Sequence, residues 1–388
     1  MSDSWRKAYD ELKKYIAKNP GIEIEPNCVC MASDVRPGFY RLFNMVNASF
    51  IKDNFPALLE KAYSLNKQWS EISGEVKDNL KLEAIHVDPG SGWFLLDPNE
   101  GLMRELFDLL FDLLKGKKEL AAFEQTATQV IEGGFARFFR DGYQCWAIMA
   151  LLKLLSVDRV YDIPRDDYDI DPSQHHEDPD GTRLEDAPEA VETNKISFEH
   201  NIMFSFMVPK IIAHSTRLGL FAALCTDFNF NEARWRAQKY NPEQEWYQVR
   251  DIVRAFGRGG VWPDLAVYTG THWKELVVVA DFFRMARPDI IIEFRVEKDW
   301  YEKESLEPVK RHHGVLKPRL GSFVVCLEPA PEAAQRELES MVETQPGAME
   351  ATAETTVRLA PDIHLLSVGY DVTKLEPIVE AVLKERTK

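Results

Sequence analysis

An acidic segment near the middle of the chain does most to limit what the chain can fold into. From Asp158 to Glu192 it carries thirteen Asp and Glu residues against three arginines, together with four prolines. Such a composition buries too little apolar surface to offset the conformational entropy lost on ordering. We therefore expect residues 159–195 to form a flexible acidic linker between a domain at 1–158 and a second domain at 196–388.

Length and composition support two globular domains. A single hydrophobic core stops growing near about 250 to 300 residues, and this chain has 388. Hydrophobic residues make up 45% of it, which is typical of folded domains. The formal net charge of −16 disfavours a large nucleic-acid footprint, because polyanions are repelled unless a local basic face opposes the average.

The sequence also bears on localisation. No apolar run reaches the 18 residues or so of a membrane-spanning helix, and the first 18 residues lack the apolar stretch of a signal peptide. The five cysteines are widely spread and odd in number, which argues against a disulfide framework. We expect a cytoplasmic protein with no membrane partner.

Residues 1–158 show mainly helical periodicity. Apolar residues recur every three or four positions from Ser4 to Lys18, which predicts an amphipathic helix. The stretch from Val35 to Ile72 predicts two helices broken near Pro56. Further helices are expected at Leu102–Leu114, Leu120–Phe139 and Tyr143–Leu155, with a break at Gly133-Gly134, and turn residues at 88–92 favour a hairpin or surface loop.

The C-terminal half has the pattern of a mixed sheet with helices, so the expected fold class is α+β or α/β: a helical N-terminal domain followed by a mixed-sheet α/β domain. A basic helix is expected at Ser305–Pro318, and Leu276–Phe283 suits either a strand or a buried helix. Strands are predicted at Val261–Tyr268, Ile290–Val296, Gly321–Glu328 and Ile363–Val368.

The strand at Ile290–Val296 carries an unusual pair of charges. Because alternate side chains of a strand share a face, Asp289, Glu293 and Arg295 are expected to point the same way. Charged groups on a mostly buried strand are costly unless they are paired or serve a function. Glu293 and Arg295 are therefore either parts of a catalytic site or a structural ion pair.

With Leu276–Phe283 as a strand, residues 250 to 328 resemble the core of the PD-(D/E)xK nucleases, which runs helix, strand, strand, strand, helix, strand. In that family one strand carries an acidic residue and the next carries Asp or Glu, any residue, then Lys. The resemblance implies a metal-dependent phosphodiester hydrolase, or an inactive relative, that binds Mg²⁺ through two carboxylates and nucleic acid through residues 250–325.

The matching positions are Asp281 on the first strand, with Asp264 as the competing choice, then Glu293. The resemblance makes Asp281, Glu293 and Arg295 catalytic and makes Asp264, Asp281 and Glu293 metal ligands. Arg295 stands where the family has lysine; it stays protonated and can clamp phosphate, but cannot transfer a proton as lysine does. His312-His313 on the basic helix could bind phosphate or relay protons at the same edge of the sheet.

Other interpretations stay open. The chain could be a non-catalytic subunit or adaptor that binds other protein subunits, with exposed tryptophans such as Trp5, Trp69 or Trp300 marking the surface. It could also be a small-molecule enzyme on an open α/β sheet, although no glycine-rich phosphate loop or nucleophile elbow is present. Metal sites at Cys28/Cys30 or His175/His176 are weaker alternatives to ordinary thiols and a solvated linker.

Overall fold

The computed structural model of the chain describes residues 4–162, 190–199, 211–226, 246–248, 263–273, 276, 284–286, 288–343 and 362–384. These residues form a helical N-terminal region and a C-terminal mixed sheet with helices, which confirms the expected fold class.

Seven helices of the described chain precede the large sheet. The first helix has the bounds predicted from its apolar stripe. The predicted break near Pro56 is also present, because the second helix ends at Asn54 and the third begins at Pro56. The helices are α1 (Ser4–Lys18), α2 (Arg36–Asn54), α3 (Pro56–Leu80), α4 (Pro89–Leu96), α5 (Pro98–Glu105), α6 (Phe107–Leu114) and α7 (Leu120–Leu154).

Two expectations for this region are wrong. Residues 88–92 do not close a hairpin: Asp88 precedes α4 and Pro89 is its first residue, since proline is well suited to the first turn of a helix. Gly133-Gly134 does not break a helix either, because α7 runs through both. A Cβ on Gly134 would lie 3.2 Å from Cγ of Glu105, so this glycine allows α7 to pack closely rather than to end.

The large sheet has eight strands in the order β14-β13-β12-β10-β8-β7-β4-β5. Strands β12, β13 and β14 are parallel to one another, and every other neighbouring pair is antiparallel. Its strands are β4 (Arg159–Asp162), β5 (Val191–Thr193), β7 (Ile211–Ser215), β8 (Leu220–Thr226), β10 (Leu265–Gly270), β12 (Ile290–Arg295), β13 (Gly321–Cys326) and β14 (Ile363–Ser367).

Smaller elements complete the described chain. Three two-stranded sheets are formed by β1 (Ile22–Ile24) with β2 (Val29–Met31), β3 (Ala84–His86) with β6 (Lys195–Ser197), and β9 (Trp246–Gln248) with β11 (Arg284–Ala286). The C-terminal helices are α8 (Trp300–Glu304), α9 (Glu307–Leu316), α10 (Glu332–Glu343) and α11 (Glu376–Lys384), the last preceded by a 3₁₀ turn at Val372–Leu375.

The chain divides into two compact units. The first contains Met1–Glu71 and Val87–Trp146, and the second contains Ile72–His86 and Ala147–Lys388. The two ends of the expected acidic linker are the strands β4 and β5, while residues 163–189 lie outside the described chain.

The tryptophans considered as a partner surface are core residues instead. Trp5 is 4% exposed, Trp69 8% and Trp300 4%. In the second unit, Trp300 packs beside Leu306, Val309 and Val324, so the segment that connects β12 to β13 covers this part of the sheet.

Candidate functional site

The pairing of β10 with β12 sets the position of Asp264. Leu265 lies opposite Ile292, so Asp264, one residue earlier in the chain, reaches the second half of β12. Its Oδ2 accepts a hydrogen bond of 2.8 Å from the backbone N–H of Phe294. The Asp264 carboxylate is therefore held next to Glu293 and Arg295.

Glu293 and Arg295 lie in the second half of β12, which is buried along its whole length. Glu293 is 3% exposed and Arg295 9% exposed. Nη1 of Arg295 lies 3.6 Å from Oε2 of Glu293 and 3.6 Å from Oδ2 of Asp264. Because both carboxylate oxygens are 3.6 Å from the same nitrogen atom, they can be at most twice that distance, or about 7.2 Å, apart.

The guanidinium group of Arg295 has two further neighbours. Its Nε lies 3.6 Å from Oε2 of Glu304 at the end of α8, and its Cζ lies 5.7 Å from the centre of the Trp300 ring. Nη1 donates a hydrogen bond of 3.0 Å to the carbonyl oxygen of Phe294. Arg295 thus serves as the shared counter-ion of three carboxylates.

Helix α9 adds a histidine to the cluster. Nδ1 of His312 lies 2.6 Å from Oε1 of Glu293, and both side chains are nearly buried. The neighbouring His313 points to a different partner, with Nδ1 2.9 Å from Oγ of the buried Ser322. The expectation that the histidine pair approaches this part of the sheet is confirmed, and it is His312 that contacts Glu293.

The cluster is rich in acidic groups. Among the described contacts, the carboxylates of Asp264, Glu293 and Glu304 surround the single guanidinium group of Arg295. Charges that are removed from water need compensation, and a bound cation would add to what Arg295 supplies. The cluster reaches solvent at Glu304, whose side chain is 56% exposed, and at Asp264, 19% exposed.

Asp289 belongs to a separate cluster at the other end of β12. Its Oδ2 accepts a hydrogen bond of 2.8 Å from Oγ1 of Thr269, and its Oδ1 forms an ion pair with Arg319. Burial raises the pKa of the Asp289 carboxyl, although Arg319 and Thr269 act in the opposite direction. Asp289 immediately precedes the strand that carries Glu293 but takes no part in the Glu293 cluster.

Of the remaining candidates, only Cys28 and Cys30 lie within the described residues. Asp281 and the pair His175/His176 lie outside the described residues, as does the segment 277–283. Cys28 and Cys30 are exposed, with their Sγ atoms 3.6 Å apart and Sγ of Cys28 3.4 Å from Oε2 of Glu25. All five cysteines lie in described regions and all are thiols.

Sequence reasoning missed Glu304. It lies nine positions beyond Arg295 in the chain, and a left-handed residue follows it, Ser305 with φ 56°. Serine gives no sequence signal for such a turn, since glycine or asparagine is the usual residue there.

Within the described residues, no group of three or more His, Cys, Asp and Glu side chains is arranged to hold a metal ion. No helix in the same part of the chain is both long and apolar enough to cross a membrane. The chain matches no family model, no curated protein and no solved structure.

Proposed function

We propose that the second unit is a metal-dependent phosphodiester hydrolase of the PD-(D/E)xK kind that acts on nucleic acid. One observation carries the proposal: the register of β10 and β12 brings Asp264 and Glu293, from neighbouring strands, to 3.6 Å from the same atom of Arg295. The family's motif requires two carboxylates on adjacent strands, which Asp264 and Glu293 supply, and a lysine, whose place Arg295 takes.

The order of elements gives further support. Strands β8, β10 and β12 are successive antiparallel neighbours, and α9 then leads to β13, which is parallel to β12. With β9 and β11 paired in a separate sheet, the large sheet has the strand, strand, strand, helix, strand order of the resemblance, but its first strand, β8, precedes the residues 250 to 328 on which the resemblance was drawn. On this assignment the acidic residue is Asp264, which immediately precedes the middle strand β10, rather than Asp281.

The chemistry follows from the residues present. Mg²⁺ takes one or two carboxylates, keeps several waters and completes its coordination with substrate phosphate oxygens, so Asp264 and Glu293 are sufficient protein ligands. The metal would lower the pKa of a bound water and neutralise charge on the phosphate. Arg295 would hold the phosphate, and His312 would orient Glu293 or move a proton near it.

Nucleic acid is the substrate class that local charge permits. From Glu245 to Val325 the chain has thirteen Lys and Arg against twelve Asp and Glu, unlike the acidic remainder. We place the binding surface within residues 250–325. A cytoplasmic setting completes the proposal, because free thiols persist where glutathione keeps them reduced.

Substitution of Glu293 tests this function. We expect Glu293→Gln to reduce Mg²⁺- or Mn²⁺-dependent cleavage of single- and double-stranded oligonucleotides by at least about 100-fold, while circular dichroism shows an unchanged fold. Glu297→Gln, in an exposed residue four positions away, is the matched control. Loss of folding in Glu293→Gln, or cleavage that survives it, would contradict the proposal.

A second candidate is a non-catalytic subunit that binds other proteins. Five large apolar side chains of the first unit are exposed in the described chain, and the three most exposed are Tyr63 at 46%, Trp93 at 42% and Leu96 at 75%. They are close together, since Asn66, one turn after Tyr63, hydrogen-bonds to the carbonyl oxygens of Leu95 and Leu96. Light scattering on the native protein tests this function, and a stable monomer without a co-purifying partner would count against it.

A further inference from the structure

Arg295 is poorly satisfied for a buried arginine. One oxygen atom of each of the three surrounding carboxylates lies 3.6 Å from a guanidinium nitrogen atom, which is beyond the usual hydrogen-bond distance. Its Nε is buried and finds no hydrogen-bond acceptor in the described part of the chain. A buried donor without an acceptor is costly and calls for a specific explanation.

The three carboxylates differ in how firmly they are held. Asp264 is fixed by the backbone N–H of Phe294, and Glu293 by His312. The Glu304 side chain is 56% exposed, and its contact with Arg295 is on the Nε side of the guanidinium group. Of the three, it is the carboxylate that can leave at the lowest cost in free energy, since a solvated carboxylate keeps its hydration.

The backbone places Glu304 over this edge of the guanidinium. Glu304 ends the short helix α8, and Ser305 follows in a left-handed conformation, with φ 56° and ψ −170°. Its Oγ accepts a hydrogen bond of 3.2 Å from the N–H of Glu307 at the start of α9. Sparsely populated conformations of this kind persist where the surrounding structure enforces them, often next to binding sites.

The chemistry of the Nε edge of Arg295 indicates an oxyanion. Arginine offers a planar fork of N–H donors that matches two oxygens of a phosphate, and the Trp300 ring lies against this guanidinium. A phosphate that bound there would reach the orphan Nε once the Glu304 carboxylate moved aside. It would also lie next to the carboxylates that we assign to the cation, where a metal offsets the repulsion.

We propose that the Nε side of Arg295 is a phosphate-binding subsite and that Glu304 occupies it in the resting protein, so that a substrate phosphate must displace the Glu304 carboxylate. This inference rests on the proposed function, because the phosphate is that of the nucleic-acid substrate beside the cation. Glu304 is then a competitor that sets phosphate affinity, rather than a metal ligand or a catalytic residue.

Calorimetric titration of the full chain with inorganic phosphate, with and without Mg²⁺, tests the subsite. Removing the competing charge in Glu304→Gln should tighten phosphate binding about two- to fivefold, the range expected for a partly exposed ion pair. Glu302→Gln removes the same charge from the same helix, two residues earlier, and should leave the affinity within about 1.5-fold of wild type.

A double-mutant cycle separates displacement from general electrostatics. Arg295→Lys retains the positive charge but lacks Nε–H and the planar fork, so phosphate binding should weaken. In that background Glu304→Gln should give no further gain, because the competing contact no longer exists. If Arg295→Lys fails to fold, the comparison of Glu304→Gln with Glu302→Gln decides by itself.

Two results would overturn the subsite: equal gains from Glu302→Gln and Glu304→Gln, or no saturable phosphate binding in Glu304→Gln. Its failure differs from failure of the proposed function. If phosphate affinity depends on Arg295 and Glu304 but the protein shows no metal-dependent cleavage, the subsite is supported and the hydrolase function is contradicted. If cleavage depends on Glu293 but phosphate affinity is unchanged in Glu304→Gln, the hydrolase function is supported and the subsite is contradicted.

Discussion

Nδ1 of His312 on α9 lies 2.6 Å from Oε1 of Glu293 on β12. This contact joins the helix to the carboxylate at the centre of the proposed cation site. It gives His312 a role that its neighbour His313, bonded to Ser322, does not share.

We predict that the two histidines can be separated by substitution. His312→Asn shortens the side chain and removes the histidine contact of Glu293, which should raise the Mn²⁺ dissociation constant about 10- to 100-fold, as is usual when the orienting partner of a metal ligand is lost. His313→Asn should alter only the free energy of unfolding. Paramagnetic resonance of free Mn²⁺ measures the first effect and urea unfolding the second; equal Mn²⁺ affinities in both variants would contradict the prediction.

The Asp289 cluster should make stability depend on pH in a recognisable direction. Since burial raises the pKa of Asp289, the folded protein holds this proton more tightly than the unfolded chain does. The Asp289 contribution to the free energy of unfolding therefore falls as pH rises from the ordinary value of about 3.9 through the raised folded value. Asp289→Asn should remove this decline, which urea unfolding at a series of pH values from about pH 4 upward measures.

The control for that experiment is Asp34→Asn, which changes an exposed aspartate in the other unit. It should reproduce the pH profile of the wild type. Identical profiles for Asp289→Asn and wild type would show that Asp289 ionises in the folded protein as it does in the unfolded chain.

A second prediction on stability concerns Glu337 on α10. Burial raises the pKa of Glu337, but hydrogen bonds from Lys310 and from the Tyr301 hydroxyl lower it by more, so that the pKa lies below the ordinary value. The hydrogen bond from Tyr301 is 2.6 Å long. Glu337→Gln should lower the free energy of unfolding at neutral pH by about 0.5 to 1.5 kcal/mol. Because the folded pKa is depressed, this loss should shrink as pH falls from the ordinary glutamate value through the lowered one.

Glu339→Gln is the matched control for Glu337, since it lies two residues away on the exposed side of the same helix. Thermal unfolding at neutral and acidic pH measures both variants. Equal effects of the two substitutions would contradict a specific role for the Lys310–Glu337–Tyr301 contacts.

The cysteines should divide into two reactive and three protected thiols. Cys28 and Cys30 are exposed, whereas Cys145, Cys225 and Cys326 are buried, and burial raises the pKa of Cys225 and of Cys326 to about 12. A chromogenic thiol reagent should therefore modify two residues in the native protein and five in urea.

Within the reactive pair the two thiols should influence each other. Hydrogen bonds to the Cys30 thiol and the Glu25 carboxylate raise the pKa of Cys28 to about 11. Cys30→Ser should accordingly speed the modification of Cys28 near pH 8. A slower reaction in that variant would count against the Cys30 hydrogen bond as the cause of the raised pKa.

Much of the fold could be predicted because its signals are local. The apolar stripe of Ser4–Lys18 predicts both ends of α1 correctly, and the β-branched run at Ile290 predicts the first residue of β12 correctly. Asp88-Pro89 is ambiguous for a physical reason: the same residues that favour a turn also suit the first turn of a helix. The break expected at Gly133-Gly134 is wrong because glycine, which has no side chain, can allow close packing as well as end a helix.

The candidate site is partly visible in the sequence. Period-two alternation places Glu293 and Arg295 on one face, whereas the choice between Asp264 and Asp281 depends on which strands pair, and that requires long-range contacts. The contact of Glu304 with Arg295 depends on a left-handed serine, for which no residue pattern exists. Tertiary geometry, not local propensity, sets these two positions.

The equal spacing of three acids around one guanidinium makes mutational tolerance of this region asymmetric. Any single acid could be lost in evolution and Arg295 would still have two anionic neighbours, so each acid is individually replaceable for folding. Loss of the arginine leaves three like charges facing one another. For folding alone, substitution at position 295 should therefore cost more free energy than substitution of any one of the three acids.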